Sequence, residues 1–230
     1  MAEQHTILRE DGSIVDVVWT DRADGDFHVQ SSPEALTENR ARVMNGPWAT
    51  VRQIHGNRVV DAATALATQE LVEADAIVTD QAFQPISVQG ADCAPIALIT
   101  DRGAIGVAHA GWRGLLDGVV ESAVIELERD GVKVERAIIG PVICTACYEF
   151  GSTDLDSVAA ELGDDVRGET ASGTPALNMR AGIVSAFDKV DVMDVQFVGG
   201  CPACDSTGFS HRMNGDTERH CLVAQLRQAG

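Results

Sequence analysis

The sequence predicts an α/β fold, formed by residues 1–230 as a single domain. Three observations carry this. Short apolar runs of strand length, bounded by Gly, Pro and Asp, crowd the stretch from Ala76 to His109. Just past Gly111-Trp112-Arg113-Gly114 the apolar spacing switches to a helical period. Beyond that point helical and extended patterns alternate, with no internal repeat and no low-complexity linker. A chain of this length buries roughly 70–75% of the surface its extended form exposes, so a core forms without staples.

Ile14 to Trp19 reads as a strand and Asp21 to Ser32 as a polar loop. Ser32-Pro33-Glu34 starts a helix, with Pro33 at the first helical position, and the helix ends before Asn45-Gly46-Pro47. Trp48 to Ile54 reads as a strand entering the turn His55-Gly56-Asn57, after which Val59-Val60 is extended again. Strands are expected over 76–79, 85–89, 95–100 and 105–109. A helix follows, carried by Leu115, Val119, Ala123 and Leu127 and stopped at Asp130-Gly131. The remaining expectations are strands over 137–140 and 192–198 and helices over 154–162, 175–188 and 217–227. Gly163 to Gly173 is the expected flexible loop.

Composition narrows the function. The 17 Lys+Arg against 35 Asp+Glu give a formal charge of −18, which argues against a large phosphate-binding face and so against nucleic acid as a partner. An anionic small substrate needs only a few arginines focused in a pocket. No run approaches the roughly 18 apolar residues of a membrane span, and the first residues lack the basic start and apolar middle of an export signal. A cytoplasmic protein without membrane partners is expected. Six cysteines in that setting argue against a disulfide framework.

Three segments end expected strands with metal-competent side chains: Arg52-Gln53-Ile54-His55-Gly56, Gly90-Ala91-Asp92-Cys93 and Ala108-His109-Ala110-Gly111. Two imidazoles and a thiolate suit zinc and leave its fourth tetrahedral position for water or substrate. A water held there is acidified toward neutral pH. The bland alternative is three separate buried side chains. After His109, Gly-Trp-Arg-Gly opens a helix whose first turn offers free N–H groups to an anion, with Arg113 beside it; a plain glycine turn with a solvated arginine fits equally.

Read in order, Glu38-Asn39-Arg40, Gln53-Ile54-His55-Gly56, Glu73-Ala74-Asp75-Ala76-Ile77-Val78-Thr79, Ala91-Asp92-Cys93, His109-Ala110-Gly111-Trp112-Arg113-Gly114, Ile139-Gly140-Pro141, Tyr148-Glu149-Phe150-Gly151 and Phe209-Ser210-His211-Arg212 resemble the polyphenol-oxidase or laccase-domain family. Members of that family are described as zinc-dependent purine nucleoside phosphorylases and as peptidoglycan editing factor-like proteins. The resemblance implies a layered α/β sandwich with a mixed sheet, like the catalytic domain of cytotoxic necrotizing factor, and a zinc held by His55, Cys93 and His109. It also implies purine nucleosides and phosphate as substrates: phosphorolysis of adenosine, inosine, guanosine and methylthioadenosine, and deamination of adenosine. An arginine can hold phosphate bidentately, which makes Arg40, Arg113 and Arg212 the candidates, with His211 lining the pocket or holding a turn. Asp92 orients a ligand, shuttles a proton or caps a turn.

The laccase name itself does not transfer, because a blue site plus a trinuclear copper cluster needs more imidazoles than the six histidines here. Copper nevertheless competes well for the same ligands, so polyphenol oxidase activity with bound copper stands as an alternative, although a blue site also wants a weak axial ligand such as Met. Cys93 and His109 as nucleophile and base of a hydrolase acting on peptidoglycan precursors is the alternative enzyme; a non-enzymatic metal-binding or partner protein is the third reading. Cys144-Thr-Ala-Cys147 and Cys201-Pro-Ala-Cys204 fit free thiols, a second structural zinc or a redox disulfide. His5 and His28 read as solvated, His220 as packed or exposed in the last helix, and Cys221 as part of that helix's core.

Overall fold

The computed structural model describes residues 1–68 and 70–227. The chain runs β1 (Glu3–Leu8), β2 (Ile14–Trp19), α1 (Pro33–Val43), β3 (Val59–Asp61), α2 (Ala62–Leu66), β4 (Ala76–Thr79), β5 (Ile86–Gly90), β6 (Ala94–Thr100) and β7 (Ile105–Ala110). It continues through α3 (Trp112–Leu116), α4 (Val119–Glu128), β8 (Val134–Ile139), α5 (Ser152–Leu162), β9 (Arg167–Glu169), β10 (Pro175–Leu177), α6 (Met179–Asp188), β11 (Asp194–Phe197), α7 (His211–Asn214) and β12 (His220–Arg227).

Two sheets stack face to face. One is mixed and six-stranded, in the order β11-β8-β6-β7-β4-β3, with parallel pairs at its two edges; the other is antiparallel, in the order β1-β2-β12-β5. Ile77, Val107 and Ile138 from the first meet Val17, Ile86 and Leu222 from the second in a shared core. The six-stranded sheet's other face carries Ile96, Leu98 and Ile139 against Leu115, Val124, Leu155 and Phe187 of α3 to α6. Val18 and Val223 on the outer face of the small sheet lie under Phe27 and Trp48. The expected layered α/β sandwich with a mixed sheet is what forms. None of its described helices is long and apolar enough to cross a membrane.

Several elements differ from the sequence reading, each for a local reason. The expected closing helix over 217–227 is β12, wedged between β2 and β5. Its residues are buried on both faces, so the alternation that marks a half-exposed strand is missing. The expected helix over 175–188 begins only at Met179, because Pro175–Leu177 pairs with Arg167–Glu169 and the Asn178 side chain accepts from Ala181 N–H as a cap. The expected loop 163–173 is instead a short 3-10 turn over Asp164–Val166 followed by the first strand and the turn of that hairpin. The helix after His109 is broken at Gly118, whose φ of +80° separates α3 from α4. Residues 48–54 make no strand: Ala49 hydrogen-bonds beside Ile86, then Arg52 beside Glu73, so neither partner is kept for a ladder. β1 and α2 were not anticipated. Ser32 caps α1 through Ala35 N–H, as its position before Pro33 suggested.

Candidate metal centre

Topology brings three distant segments together. Cys93 ends the tight turn that carries the chain from β5 in the small sheet to β6 in the large one, and His109 sits opposite Pro95 on the neighbouring β7. His55 projects from the turn before β3 with a φ of +60°, a conformation that costs a non-glycine residue about 1–3 kcal/mol unless its surroundings enforce it. One ligand atom from each of His55, Cys93 and His109 lies within 4.8 Å of the others. The imidazole rings are 4.9 Å apart, centroid to centroid. A Cβ on Gly111 would lie 2.7 Å from His55 Nδ1 and 3.1 Å from Cys93 Sγ, so only glycine admits this approach.

Asp75 builds the centre, and sequence reading gave it no role. It precedes β4 and faces β7, where its carbonyl accepts His109 N–H at 2.7 Å. Its fully buried carboxylate accepts from Ile54, His55 and Gly56 N–H at 3.1, 3.0 and 2.8 Å, and Oδ1 stands 2.9 Å from His109 Nδ1. One carboxylate thus shapes the strained His55 turn and orients the His109 ring, leaving His109 Nε2 to ligate. The sequence signals were an acidic residue entering the apolar strand Ala76–Thr79 and its place in the family-like segment Glu73–Thr79.

Charge follows from these contacts. Burial pushes the Cys93 thiol up, but His109, then His55, outweigh it and bring it down to about 6. Burial pushes His109 down, yet Asp75 and Cys93 more than offset this and raise it to about 9. Burial also pushes Asp75 up, and is outweighed by His109 and the backbone donors, so its carboxyl sits below the usual range. Without a metal, the centre is a thiolate–imidazolium pair braced by a carboxylate. The donor set, two nitrogens and one sulfur within reach of a common point, fits a tetrahedral ion with one open position.

The three side chains open into a cavity of about 340 Å³, within the range typical of small-molecule sites. Arg52, Arg219, His28 and His211 line it. His28 was expected to be solvated; it is half-buried on the cavity wall. Arg52 is held by Glu73 at 2.8 Å, and Arg219 donates to the carbonyls of Asp216 and Glu218. Gln53 pairs both ways with the Gln89 backbone, fixing this wall to β5. Among the described lining residues there is no methionine to serve as the axial ligand of a blue-copper site.

Of the residues expected to bind phosphate, His211 lines this cavity and the three arginines do not. The Arg40 guanidinium lies 5.5 Å from the Trp48 ring centre in an adjoining crevice. Arg113 is exposed and stacks 4.4 Å over Trp112, in a helix of only five residues. Arg212 lies 4.8 Å over Tyr148 and donates to Glu149 O at 3.1 Å. Asp92 has a φ of +98°, and both its oxygens are engaged: Oδ1 by Ser210 Oγ at 2.7 Å and Oδ2 by Arg212 N–H at 2.6 Å. His220 is fully buried at the start of β12, with Nε2 unpartnered among the described residues, and burial brings it down to about 4. Cys221 follows it into the strand core.

Known proteins share this architecture. A Neisseria meningitidis crystal structure superposes with a TM-score of 0.81 at 25% identity, covering 98% of this chain and 99% of that one. The Bacillus licheniformis protein YfiH superposes with a TM-score of 0.78 at 21% identity, covering 96% and 98%. A Corynebacterium glutamicum protein named purine nucleoside phosphorylase is 34% identical over 209 residues, 86% of this chain and 85% of that one. A Mycobacterium tuberculosis protein of the same name is 33% identical over 210 residues, 86% and 82%. Residues 5–227 match the family described as multi-copper polyphenol oxidoreductase laccase, and the chain belongs to that family.

Proposed function

We propose that this chain is a zinc-dependent purine nucleoside phosphorylase that cleaves adenosine, inosine, guanosine and methylthioadenosine with phosphate, and that it also deaminates adenosine. The observation that carries the reading is the convergence of His55, Cys93 and His109 at the floor of a cavity with a basic wall. The names of the relatives at 33–34% identity support it.

In phosphorolysis a phosphate oxygen bonds to the ribose anomeric carbon as the bond to the purine nitrogen breaks. Negative charge develops on the base, which then takes up a proton. Zinc, when bound by His55, Cys93 and His109, supplies a Lewis-acidic centre at the cavity floor. Arg219 and Arg52 are the guanidinium groups placed to hold phosphate, with their forks pre-set by Asp216, Glu218 and Glu73. His211 contacts the Asp216 carbonyl through Nδ1 at 3.4 Å, which leaves Nε2 to accept a hydrogen bond from the nucleoside or to take the proton of the attacking hydrogen phosphate and hand it to the departing base. Asp92 is a positioning residue: it holds the turn carrying His211 against the Cys93 turn. Arg212 holds the Tyr148 loop in the same way, and Arg40 and Arg113 stay outside the reaction.

The test is an inosine-plus-phosphate assay with metal analysis on wild type and Cys93→Ala. Wild type should release hypoxanthine and ribose 1-phosphate in equal amounts, only when phosphate is present. Cys93→Ala should lose both turnover and the cavity zinc. Equal rates and equal metal in the two proteins would refute the assignment.

One observation favours a second reading: Cys93, His109 and Asp75 form the nucleophile–base–orienter relay of a thiol hydrolase. A metal-free protein that cleaves peptidoglycan precursors, and stops once Cys93 is alkylated, would support it over the first.

A further inference from the structure

The function proposed above leaves four cysteines unused, and the fold collects them. β8 and β11 are parallel neighbours paired in register, Ile139 opposite Phe197. Two parallel strands send their following loops out of the same end of the sheet. Cys144 lies five residues past Ile139 and Cys201 four past Phe197, so the two CxxC segments leave side by side despite the stretch of sequence between them. The loops touch from the start: a Cβ on Gly199, whose φ is +75°, would lie 2.9 Å from Pro141 Cγ.

The two segments adopt matching turns. Cys147 N–H donates to Cys144 O and Cys204 N–H to Cys201 O, each at 3.0 Å. This curls both thiols of each pair toward the same point. All four sulfurs lie within 4.8 Å of one another, with Cys144 and Cys204 at 3.5 Å and Cys147 and Cys204 at 3.2 Å, and none is bonded to another. Sulfurs about 2.3 Å from a tetrahedral zinc stand about 3.8 Å apart; the two shortest pairs here are a few tenths of an ångström closer than that and all four lie within 4.8 Å, so a small outward turn of the thiols seats one shared ion. Cys144 N–H also points at Cys201 Sγ at 3.2 Å, the donor that an electron-rich metal-bound thiolate accepts.

We infer that Cys144, Cys147, Cys201 and Cys204 form a structural zinc site, separate from the cavity centre and closed to substrate because all four positions are filled. Binding releases four protons and leaves a centre of charge −2, with no change of oxidation state. Its task is mechanical. The first loop gives Ile143 N–H to Asp92 O at 3.0 Å, and the second runs on to Ser210 and Arg212, which hold the Asp92 carboxylate. The ion clamps together the two loops that fix the turn bearing Cys93. The inference is independent of the nucleoside reading.

Metal counting on the full chain, loaded with zinc and desalted, tests it. Wild type should hold two zinc per chain, and Cys93→Ala one. Cobalt-loaded Cys93→Ala should show intense thiolate-to-metal absorption and a tetrahedral visible spectrum, both lost in Cys93→Ala/Cys144→Ser/Cys204→Ser. Because that last variant also risks misfolding, Cys93→Ala with intact CxxC pairs is compared before and after chelation by hydrogen exchange. Stripping should speed exchange at 141–151 and 199–212 and leave β6 and β7 protected. Wild type with one zinc that vanishes in Cys93→Ala, or two thiols missing from the denatured, unreduced protein because a disulfide has formed, would overturn the inference.

Discussion

At the scale of single residues, the centre depends on a side chain that touches no open ligand position. Asp75 accepts three backbone donors and orients His109, so Asp75→Asn keeps the side-chain volume, removes the charge and turns an amide NH2 toward one set of those donors. Outer partners of this kind change metal affinity about 10–100-fold, and chelator competition should show a loss of that size. Proton linkage sets a second expectation. With Cys93 brought down to about 6 and His109 held at about 9, zinc entering between those values displaces the His109 proton but none from Cys93. Affinity should therefore rise with pH through this window and lose its dependence on His109 above about 9. Below about 6 it should fall more steeply as Cys93 also binds a proton. Competition titrations from pH 6 to 9 that give a flat affinity would contradict the ion-pair description. His55, Cys93 and His109 were legible in the sequence because each ends a recognisable segment. Asp75, Arg52, Arg219 and His28 were not, since their places at the centre and around its cavity arise from the β4–β7 register and from loops that meet only in three dimensions.

At the scale of elements, legibility followed how locally each was determined. β4 to β7 are bounded by Gly, Pro and Asp, and α1 has Ser32 and Pro33 at its start, so neighbouring residues specify them. β12 is the counterexample: His220–Arg227 has an apolar run compatible with either helix or strand, and its neighbours β2 and β5 lie far away in sequence. Leu222 at its centre is fully buried in the core shared by the two sheets. Leu222→Ala should cost about 2–5 kcal/mol in urea unfolding, as deletions at close-packed sites do. A loss under 1 kcal/mol would mean that β12 is peripheral. The Gly118 break was missed for a related reason: apolar spacing continues across it, and only the left-handed backbone reveals the interruption.

At the scale of the whole molecule, a charge of −18 on 230 residues means self-repulsion throughout the compact state. Screening lengths shrink from about 30 Å at 0.01 M salt to about 8 Å at 0.15 M. The melting temperature should climb over that range in sodium chloride, and a fall would show that attractive pairs such as Arg227–Asp16 dominate instead. The position of β12 has a temporal consequence as well. Residues 14–19 leave the ribosome some two hundred residues before the strand that must lie between them and β5. Until then the small sheet has no middle, and the facing edges of β2 and β5 have no strand to join them. Refolding from denaturant should therefore be slow, in keeping with so distant a pairing, and stopped-flow refolding on the microsecond-to-millisecond scale of local folds would contradict this.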